Sequence, residues 1–137
     1  MPQAGMASES RAVILAVSPD MEDPKFVEAT MPGWSVRRAQ TCQEAVAILN
    51  SGPFDVVLCE RDLPDGGWHD LLDRMRELRE APPVVVMSRA ADENMWAEVL
   101  SSGGFDLLMK PLETSDLQRL ASGVQSHSPR ARAASAN

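Results

Sequence analysis

The sequence predicts an α/β domain built on a doubly wound, five-stranded parallel sheet with the strand order 2-1-3-4-5. Short apolar runs rich in β-branched residues alternate with amphipathic helical patterns, which is typical of parallel strands joined by crossover helices. This alternation occurs five times within 137 residues, a length suited to one domain with its own core. These observations together predict the fold class.

The predicted strands follow the apolar runs. The first (AVILAV), third (FDVVLC) and fourth (PVVVM) are almost continuously apolar, as expected of strands covered on both faces. The second contains Ser35, Arg37 and Arg38, and this polarity indicates an edge strand. The five predicted strands are Ala12–Val17, Trp34–Ala39, Phe54–Cys59, Pro83–Met87 and Phe105–Met109.

The segment after the first strand has room for only a short first helix. Pro19, Pro24 and the break at Pro32-Gly33 limit it to about two and a half turns. Pro24 is expected at the first helical position, where its missing N–H leaves no hydrogen bond unmade.

The other helices begin and end at recognisable residues. Thr41 and Glu44 form a capping-box pattern, which predicts the start of a second helix that ends before Gly52-Pro53. The remaining predicted helices are Trp68–Arg79, Asp92–Ser101 and one that begins near Thr114-Ser115.

Charge and composition exclude several functions. The net charge is −7 and no basic stripe is present, so nucleic-acid binding by this domain is not expected. No apolar run approaches the ~20 residues that cross a bilayer, and no signal-peptide pattern begins the chain, so we expect a cytoplasmic protein without membrane contact. The two cysteines, Cys42 and Cys59, have no metal or redox spacing and are expected to be reduced and buried. We expect a flexible N-terminus over 1–10, a domain over 11–125 and a disordered tail or linker over 126–137.

Three sequence blocks carry a resemblance to a known family. The blocks are DVVLCERDLPDG at 55–66, VVVMS at 84–88 and GFDLLMKPL at 104–112. With these blocks at these spacings, the chain resembles the receiver domain of two-component response regulators (CheY-like) over roughly residues 12–124. The resemblance implies a bacterial signalling protein whose site lies at the carboxyl ends of the strands.

The resemblance places the family's phosphoacceptor position at Glu60. In the family this residue is an aspartate that ends the third strand, four residues before a proline, here Pro64. The acidic pair that normally helps to hold Mg²⁺ corresponds to Ser18 and Pro19, which offer a hydroxyl and a carbonyl instead of two carboxylates. The chain therefore resembles a degenerate receiver, or pseudo-receiver.

Other positions match the family only in part. Ser88 and Lys110 correspond to the hydroxyl and ammonium that hold a phosphoryl group, and Lys110-Pro111 resembles a bond that is cis in the family. The switch aromatic is replaced by Leu107, and a usually small residue by Arg89. Three nearby residues, Asp20, Asp62 and Arg89, are candidates to compensate for the missing groups.

The resemblance implies phosphorelay signalling by protein–protein interaction, not enzymatic catalysis. At the matching positions Glu60 and Lys110 balance in charge, and the longer glutamate is expected to approach Lys110 and Ser88. We therefore expect a module that needs neither phosphorylation nor a cofactor. The alternative is a conventional Mg²⁺-dependent receiver that uses Glu60 or a displaced Asp62, and a third hypothesis is a flavodoxin-like binder of small molecules.

Receivers transmit signals through the face formed by the fourth helix, fifth strand and fifth helix, and the resemblance implies the same face here. A protein partner or a second copy of the chain is expected to bind there. The candidate contact residues are Trp96, Val99, Phe105 and Leu107.

Overall fold

The computed structural model describes residues 12–124, and the predictions for 1–10 and 126–137 lie outside the described residues. Seven strands and five helices make up this part of the chain. In chain order they are β1 (Val13–Val17), α1 (Glu22–Thr30), β2 (Ser35–Ala39), α2 (Cys42–Leu49), β3 (Val56–Glu60), β4 (Asp62–Leu63), β5 (Gly66–Gly67), α3 (Trp68–Met75), β6 (Val84–Ser88), α4 (Glu93–Ser101), β7 (Asp106–Met109) and α5 (Thr114–Val124).

The main sheet has five parallel strands in the order β2-β1-β3-β6-β7. This is the predicted order, because β6 and β7 are the fourth and fifth long strands of the chain. The polar strand β2 lies at one edge, as predicted, and β7 lies at the other. A short antiparallel hairpin, β4-β5, was not predicted and follows β3 directly.

Helices cover both faces of the sheet, and side chains alternate between two cores. On one face α2, α3 and α4 pack over residues such as Leu15, Val57 and Val86. On the other face α1 and α5 pack over residues such as Leu58 and Met87. Burial on both faces explains why the central strands are continuous apolar runs.

Helix α1 has the predicted length but not the predicted start. It spans nine residues, and Pro24 is its third residue, not its first. The position still suits proline, because the first four N–H groups of a helix have no partner within it. This shift by two residues turns Asp23 toward the protein interior, where it is buried.

Two other helices differ from their predictions at one end. Helix α3 ends at Met75 instead of Arg79, and hydrogen-bonded turns follow it. At the start of α2, the Thr41 hydroxyl accepts the N–H of Glu44 as the capping box predicts. The Glu44 carboxylate, however, accepts the N–H of Gln40 instead of that of Thr41.

Hairpin β4-β5 is fastened to helix α2 by Asp65. Its carboxylate accepts the N–H of Cys42 at 2.7 Å and that of Gln43 at 3.0 Å, in the first turn of α2. The next residue, Gly66, has φ of +150°, and a Cβ there would lie 2.6 Å from Asp70 Oδ2. Glycine is therefore required for the chain to turn from this cap into α3.

Both cysteines are buried free thiols, as predicted. Within residues 12–124, no helix is both long and apolar enough to cross a membrane.

Candidate functional site

Four strands of the sheet deliver the predicted site residues to one edge. Ser18 follows β1, Glu60 ends β3, Ser88 ends β6 and Lys110 follows β7. Carboxyl ends of parallel strands meet where the strand order reverses, and this is where such sheets form sites. The structure therefore brings together residues that are far apart in the sequence.

Lys110 is the centre of the site. Its side chain is 6% exposed, and its Nζ donates to Glu60 Oε1 at 2.6 Å and to Asp23 Oδ2 at 2.8 Å. Burial by itself lowers the pKa of Lys110, but the hydrogen bonds to Asp23 and Glu60 and the charges of these two carboxylates outweigh it, so the pKa is raised. The ammonium is therefore held charged between two carboxylates. The Lys110-Pro111 peptide bond is cis, as the resemblance implied.

Asp23 also belongs to the site, although the sequence patterns did not predict it. It lies in the first turn of α1, its side chain is 10% exposed, and Oδ2 accepts hydrogen bonds from both Lys110 and Ser18 Oγ, the latter at 2.7 Å. A signal for it was present: Asp23 and the fully buried Val27 are four residues apart and share the inner helix face. An acid on the apolar face of a helix indicates a buried partner.

Glu60 is engaged through both carboxylate oxygens. Oε1 accepts from Lys110, and Oε2 accepts the N–H of Arg61 at 3.0 Å. Its side chain is 17% exposed. The site thus contains two carboxylates and one ammonium, which corrects the predicted charge balance of one against one to a formal charge of −1.

Ser18 and Ser88 are buried, and their hydroxyls are part of the local turns. Ser18 Oγ accepts the N–H of Asp20, and Ser88 Oγ accepts the N–H of Ala90, both at 3.0 Å. Ser88 also holds the backbone at Lys110, whose N–H it accepts through its carbonyl. The predicted approach of Glu60 to Lys110 is present, while the Ser88 hydroxyl is engaged by the N–H of Ala90.

The candidate compensating residues do not join the site. The carboxylate of Asp20 accepts the N–H of Glu22 and so supports the start of α1. Asp62 is 75% exposed and pairs with Arg61 Nη2 at 2.9 Å. Arg89 is exposed on the surface next to Ser88. All three residues are exposed at the surface.

The donor set does not fit the Mg²⁺ ion that the resemblance implies. Mg²⁺ requires free oxygen ligands in octahedral geometry. Here the Glu60 oxygens are hydrogen-bonded, Asp23 is bound by two donors, and Pro19 has no side-chain ligand. Among residues 12–124, no group of three or more His, Cys, Asp or Glu side chains is arranged to hold a metal ion.

The predicted interface residues divide into exposed and buried ones. Trp96 is 49% exposed, and its Nε1 donates to Asp106 Oδ1 at 3.4 Å. Val99 is fully buried, which corrects its assignment to the interface, because it faces the sheet and packs against the backbone at Gly104. Phe105 and Leu107 are half-buried against the two cores.

Two further exposed apolar residues, on α4 and β7, were not predicted. Leu100 lies one helical turn after Trp96 on α4, and Met109 ends the edge strand β7. Met109 is 58% exposed, more than any other large apolar residue described. We refer to Trp96, Leu100 and Met109 as the α4–β7 patch.

Comparisons with known proteins agree on one family. A model of the response regulator receiver domain matches residues 25–122. The response regulator protein PilR of Pseudomonas aeruginosa is 27% identical over 125 residues, covering 90% of this chain and 28% of that protein. The transcriptional regulatory protein ZraR of Escherichia coli is 28% identical over 116 residues, covering 83% of this chain and 26% of that protein. The chain thus spans about a quarter of the length of these relatives.

Solved structures match the fold. A two-component response regulator from Clostridium difficile superimposes with a TM-score of 0.77 at 25% identity, covering 85% of this chain and 98% of that one. The chemotaxis protein CheY4 of Vibrio cholerae has a TM-score of 0.75 at 22% identity, covering 84% of this chain and 99% of that one.

Proposed function

The chain belongs to the response regulator receiver domain family, and on that premise we propose that it is a pseudo-receiver, which binds a protein partner without being phosphorylated. The observation that carries this proposal is the 2.6 Å hydrogen bond between Lys110 Nζ and Glu60 Oε1. In the family, the corresponding lysine holds a phosphoryl group. Here Glu60 supplies a permanent negative charge to Lys110 from the phosphoacceptor position itself.

The chemistry of Glu60 supports this proposal. Lys110 and the Arg61 N–H each donate to one oxygen of Glu60, and these hydrogen bonds withdraw electron density and lower the nucleophilicity of the carboxylate. Phosphoryl transfer also needs cations to offset the charge of the transferred group. With Asp23 and Glu60 against one lysine, the site has a formal charge of −1, which disfavours the approach of an anionic phosphodonor.

The signalling surface of the proposal is the α4–β7 patch. Exposed large apolar side chains that lie together on a surface are typical of protein–protein contacts. Trp96 and Leu100 are exposed one turn apart on α4, and the exposed Met109 ends strand β7, against which α4 packs. We infer that a protein partner or a second copy of the chain binds here, and that the Glu60–Lys110 pair holds β7 in the state that this partner recognises.

The test is a titration with Mg²⁺ followed by beryllofluoride, a phosphoryl mimic, in the wild-type domain. Trp68 is a suitable fluorescent reporter because its backbone N–H donates to the carbonyl of Arg61 at 3.1 Å, and Arg61 is the residue directly after Glu60. We expect no saturable change in the tryptophan emission of the domain at millimolar Mg²⁺ and none on adding beryllofluoride. A receiver with the full acidic set serves as the positive control.

Glu60→Asp is the matched variant. It restores the residue type of a phosphoacceptor but leaves Ser18 and Pro19 unchanged, so we expect it to remain unresponsive as well. A saturable quench in the wild type, followed by a change with beryllofluoride, would overturn the proposal in favour of a conventional receiver. Loss of that response in Glu60→Gln or in Asp62→Asn would then identify the acceptor.

A further inference from the structure

Asp23 connects helix α1 to two other segments of the chain. It lies in the first turn of α1, and its Oδ2 accepts from Ser18 Oγ at 2.7 Å and from Lys110 Nζ at 2.8 Å. Ser18 directly follows β1, and Lys110 directly follows β7. The Asp23 side chain is 10% exposed. A carboxylate buried to this degree requires hydrogen-bonding or charged partners, and Asp23 finds both at the ends of two strands.

Asp23 is held more firmly than Glu60, the other carboxylate that binds Lys110. The Ser18 hydroxyl donates to Asp23 and itself accepts the N–H of Asp20 at 3.0 Å. Glutamate has one more rotatable bond than aspartate, and the Glu60 side chain is 17% exposed against 10% for Asp23. A hydrogen bond to a restrained side chain loses less conformational entropy than one that must also order a longer side chain.

The lengths of the two contacts do not reverse this ranking. Lys110 Nζ is 2.6 Å from Glu60 Oε1 and 2.8 Å from Asp23 Oδ2, and both distances are those of charge-assisted hydrogen bonds. The longer side chain of Glu60 can follow the ammonium, whereas the carboxylate fixed by Ser18 determines where the ammonium lies.

We propose that Asp23 is the positioning residue for Lys110, and that it holds the ammonium at the end of β7 whether or not residue 60 carries a charge. This inference rests on the proposed function, in which a fixed Lys110 keeps β7 and the α4–β7 patch in one state. It assigns the anchor to helix α1 instead of to the phosphoacceptor position. A change of charge at Glu60 is then not transmitted to the patch.

The experiment uses the lysine content of the chain, which has two lysines, Lys25 and Lys110. Lys25 is 59% exposed and Lys110 is 6% exposed. An amine-reactive acetyl ester modifies the accessible, neutral amine, so a buried ammonium held by carboxylates reacts slowly. Mass spectrometry of proteolytic peptides gives the rate at Lys110 relative to that at Lys25 in the same sample. Circular dichroism confirms that each variant is folded.

The expected order separates the two carboxylates. Asp23→Asn should raise the relative rate at Lys110 by about tenfold, because a charge-assisted hydrogen bond to the restrained partner is lost. Glu60→Gln should raise it by less than about twofold, since Asp23 and Ser18 still fix the ammonium. A rise in Glu60→Gln that equals or exceeds the rise in Asp23→Asn would overturn the inference.

Asp20→Asn is the matched control. It removes a carboxylate near the start of α1 that accepts the N–H of Glu22, so we expect the rate at Lys110 to stay at the wild-type value. An increase equal to that of Asp23→Asn would show a general charge effect and contradict the inference. Ser18→Ala is the milder variant and decides the question if Asp23→Asn does not fold. It should raise the rate by about threefold through loss of the hydrogen bond to Asp23, and an unchanged rate would count against the inference.

Amide hydrogen exchange provides a readout that a loss of overall stability does not imitate. We expect exchange in β7 to accelerate in Asp23→Asn relative to exchange in the central strand β3, and the ratio to stay at the wild-type value in Glu60→Gln. Equal acceleration of both strands in Asp23→Asn would reduce Asp23 to a general stabilising role.

The fate of this inference is separable from that of the proposed function. Phosphorylation of the wild type by a small phosphodonor would overturn the proposed function, whatever the order of the lysine rates. A wild type that does not respond to Mg²⁺ and beryllofluoride, together with a faster rate in Glu60→Gln than in Asp23→Asn, would overturn only the inference.

Discussion

At the residue scale, one lysine carries the electrostatics of the whole site. Lys110 neutralises one of two carboxylates, the buried Asp23 and the partly buried Glu60, while Ser18 and the Arg61 N–H stabilise the remaining negative charge. Lys110 and the carboxylates therefore do not contribute equally to stability. Loss of Lys110 leaves two uncompensated charges, whereas loss of either carboxylate leaves a balanced ion pair.

This asymmetry predicts an order of stabilities. Lys110→Met should cost about 3–5 kcal/mol, the usual penalty for leaving buried charge unpaired. Asp23→Asn and Glu60→Gln should each cost about 1–2 kcal/mol, because a charged hydrogen bond is lost but the other carboxylate still holds Lys110. Asp23→Asn should cost the more of the two, since Asp23 is less exposed and accepts from two side chains. Urea unfolding of the three variants measures the order, and equal losses would contradict it.

At the scale of elements, the side chain of Asp65 attaches hairpin β4-β5, which follows Glu60, to the start of helix α2. Asp65 stands between β4 and β5 and bonds two N–H groups of α2. The hydrogen bonds from Gln43 and then Cys42 lower the pKa of Asp65. The carboxylate form is therefore the one that fastens the hairpin after Glu60 to the first turn of α2.

A pH dependence follows from this cap. A carboxyl group whose pKa is lowered on folding adds stability that is present above its unfolded pKa and is lost as the pH falls through its folded pKa. Wild type should therefore be more stable than Asp65→Asn near neutral pH, and this difference should shrink only below the ordinary value of 3.8. Urea unfolding of both proteins from pH 7 to pH 2.5 measures it. A stability difference that stays constant over this pH range would mean that the Asp65 side chain stabilises the fold through its shape and not through its charge.

The elements also show what sequence patterns can and cannot determine. All five long strands were predicted, because burial on both faces leaves each as an uninterrupted apolar run. Hairpin β4-β5 was not, since two-residue strands have no period to detect. Asp23 was missed because its partner Lys110 is 87 residues away, and because a start two residues earlier in α1 decides which acid faces inward. Val99 was assigned to the interface because helical spacing alone does not say which apolar face meets the sheet.

At the scale of the whole molecule, the site and the α4–β7 patch are connected by one strand. Strand β7 begins at Asp106 and ends at Met109, directly before Lys110. The Asp106 carboxylate accepts from Trp96 Nε1, and its Oδ2 lies 3.9 Å from Arg119 Nη2 of α5. Lys110, which Glu60 and Asp23 hold in place, is therefore the residue directly after the exposed Met109. In the proposed function, the ion pairs of Lys110 hold strand β7 in place and so keep the α4–β7 patch in one conformation.

Self-association through this surface is the prediction that belongs to the intact domain. If a second copy binds the α4–β7 patch, wild type should form dimers at roughly 100 μM, and Trp96→Ala should weaken the dimer at least tenfold because central tryptophans contribute strongly to interfaces. Trp96→Ala should lose only about 1 kcal/mol of folding stability, since the side chain is 49% exposed. Sedimentation velocity measures the strength of the dimer, and urea unfolding measures the folding stability.

Arg37→Ala is the control, because Arg37 is exposed on β2 at the opposite edge of the sheet. A wild type that stays monomeric at this concentration would contradict the second copy as occupant and leave the patch to a different protein, whereas equal weakening by Arg37→Ala would place the contact elsewhere.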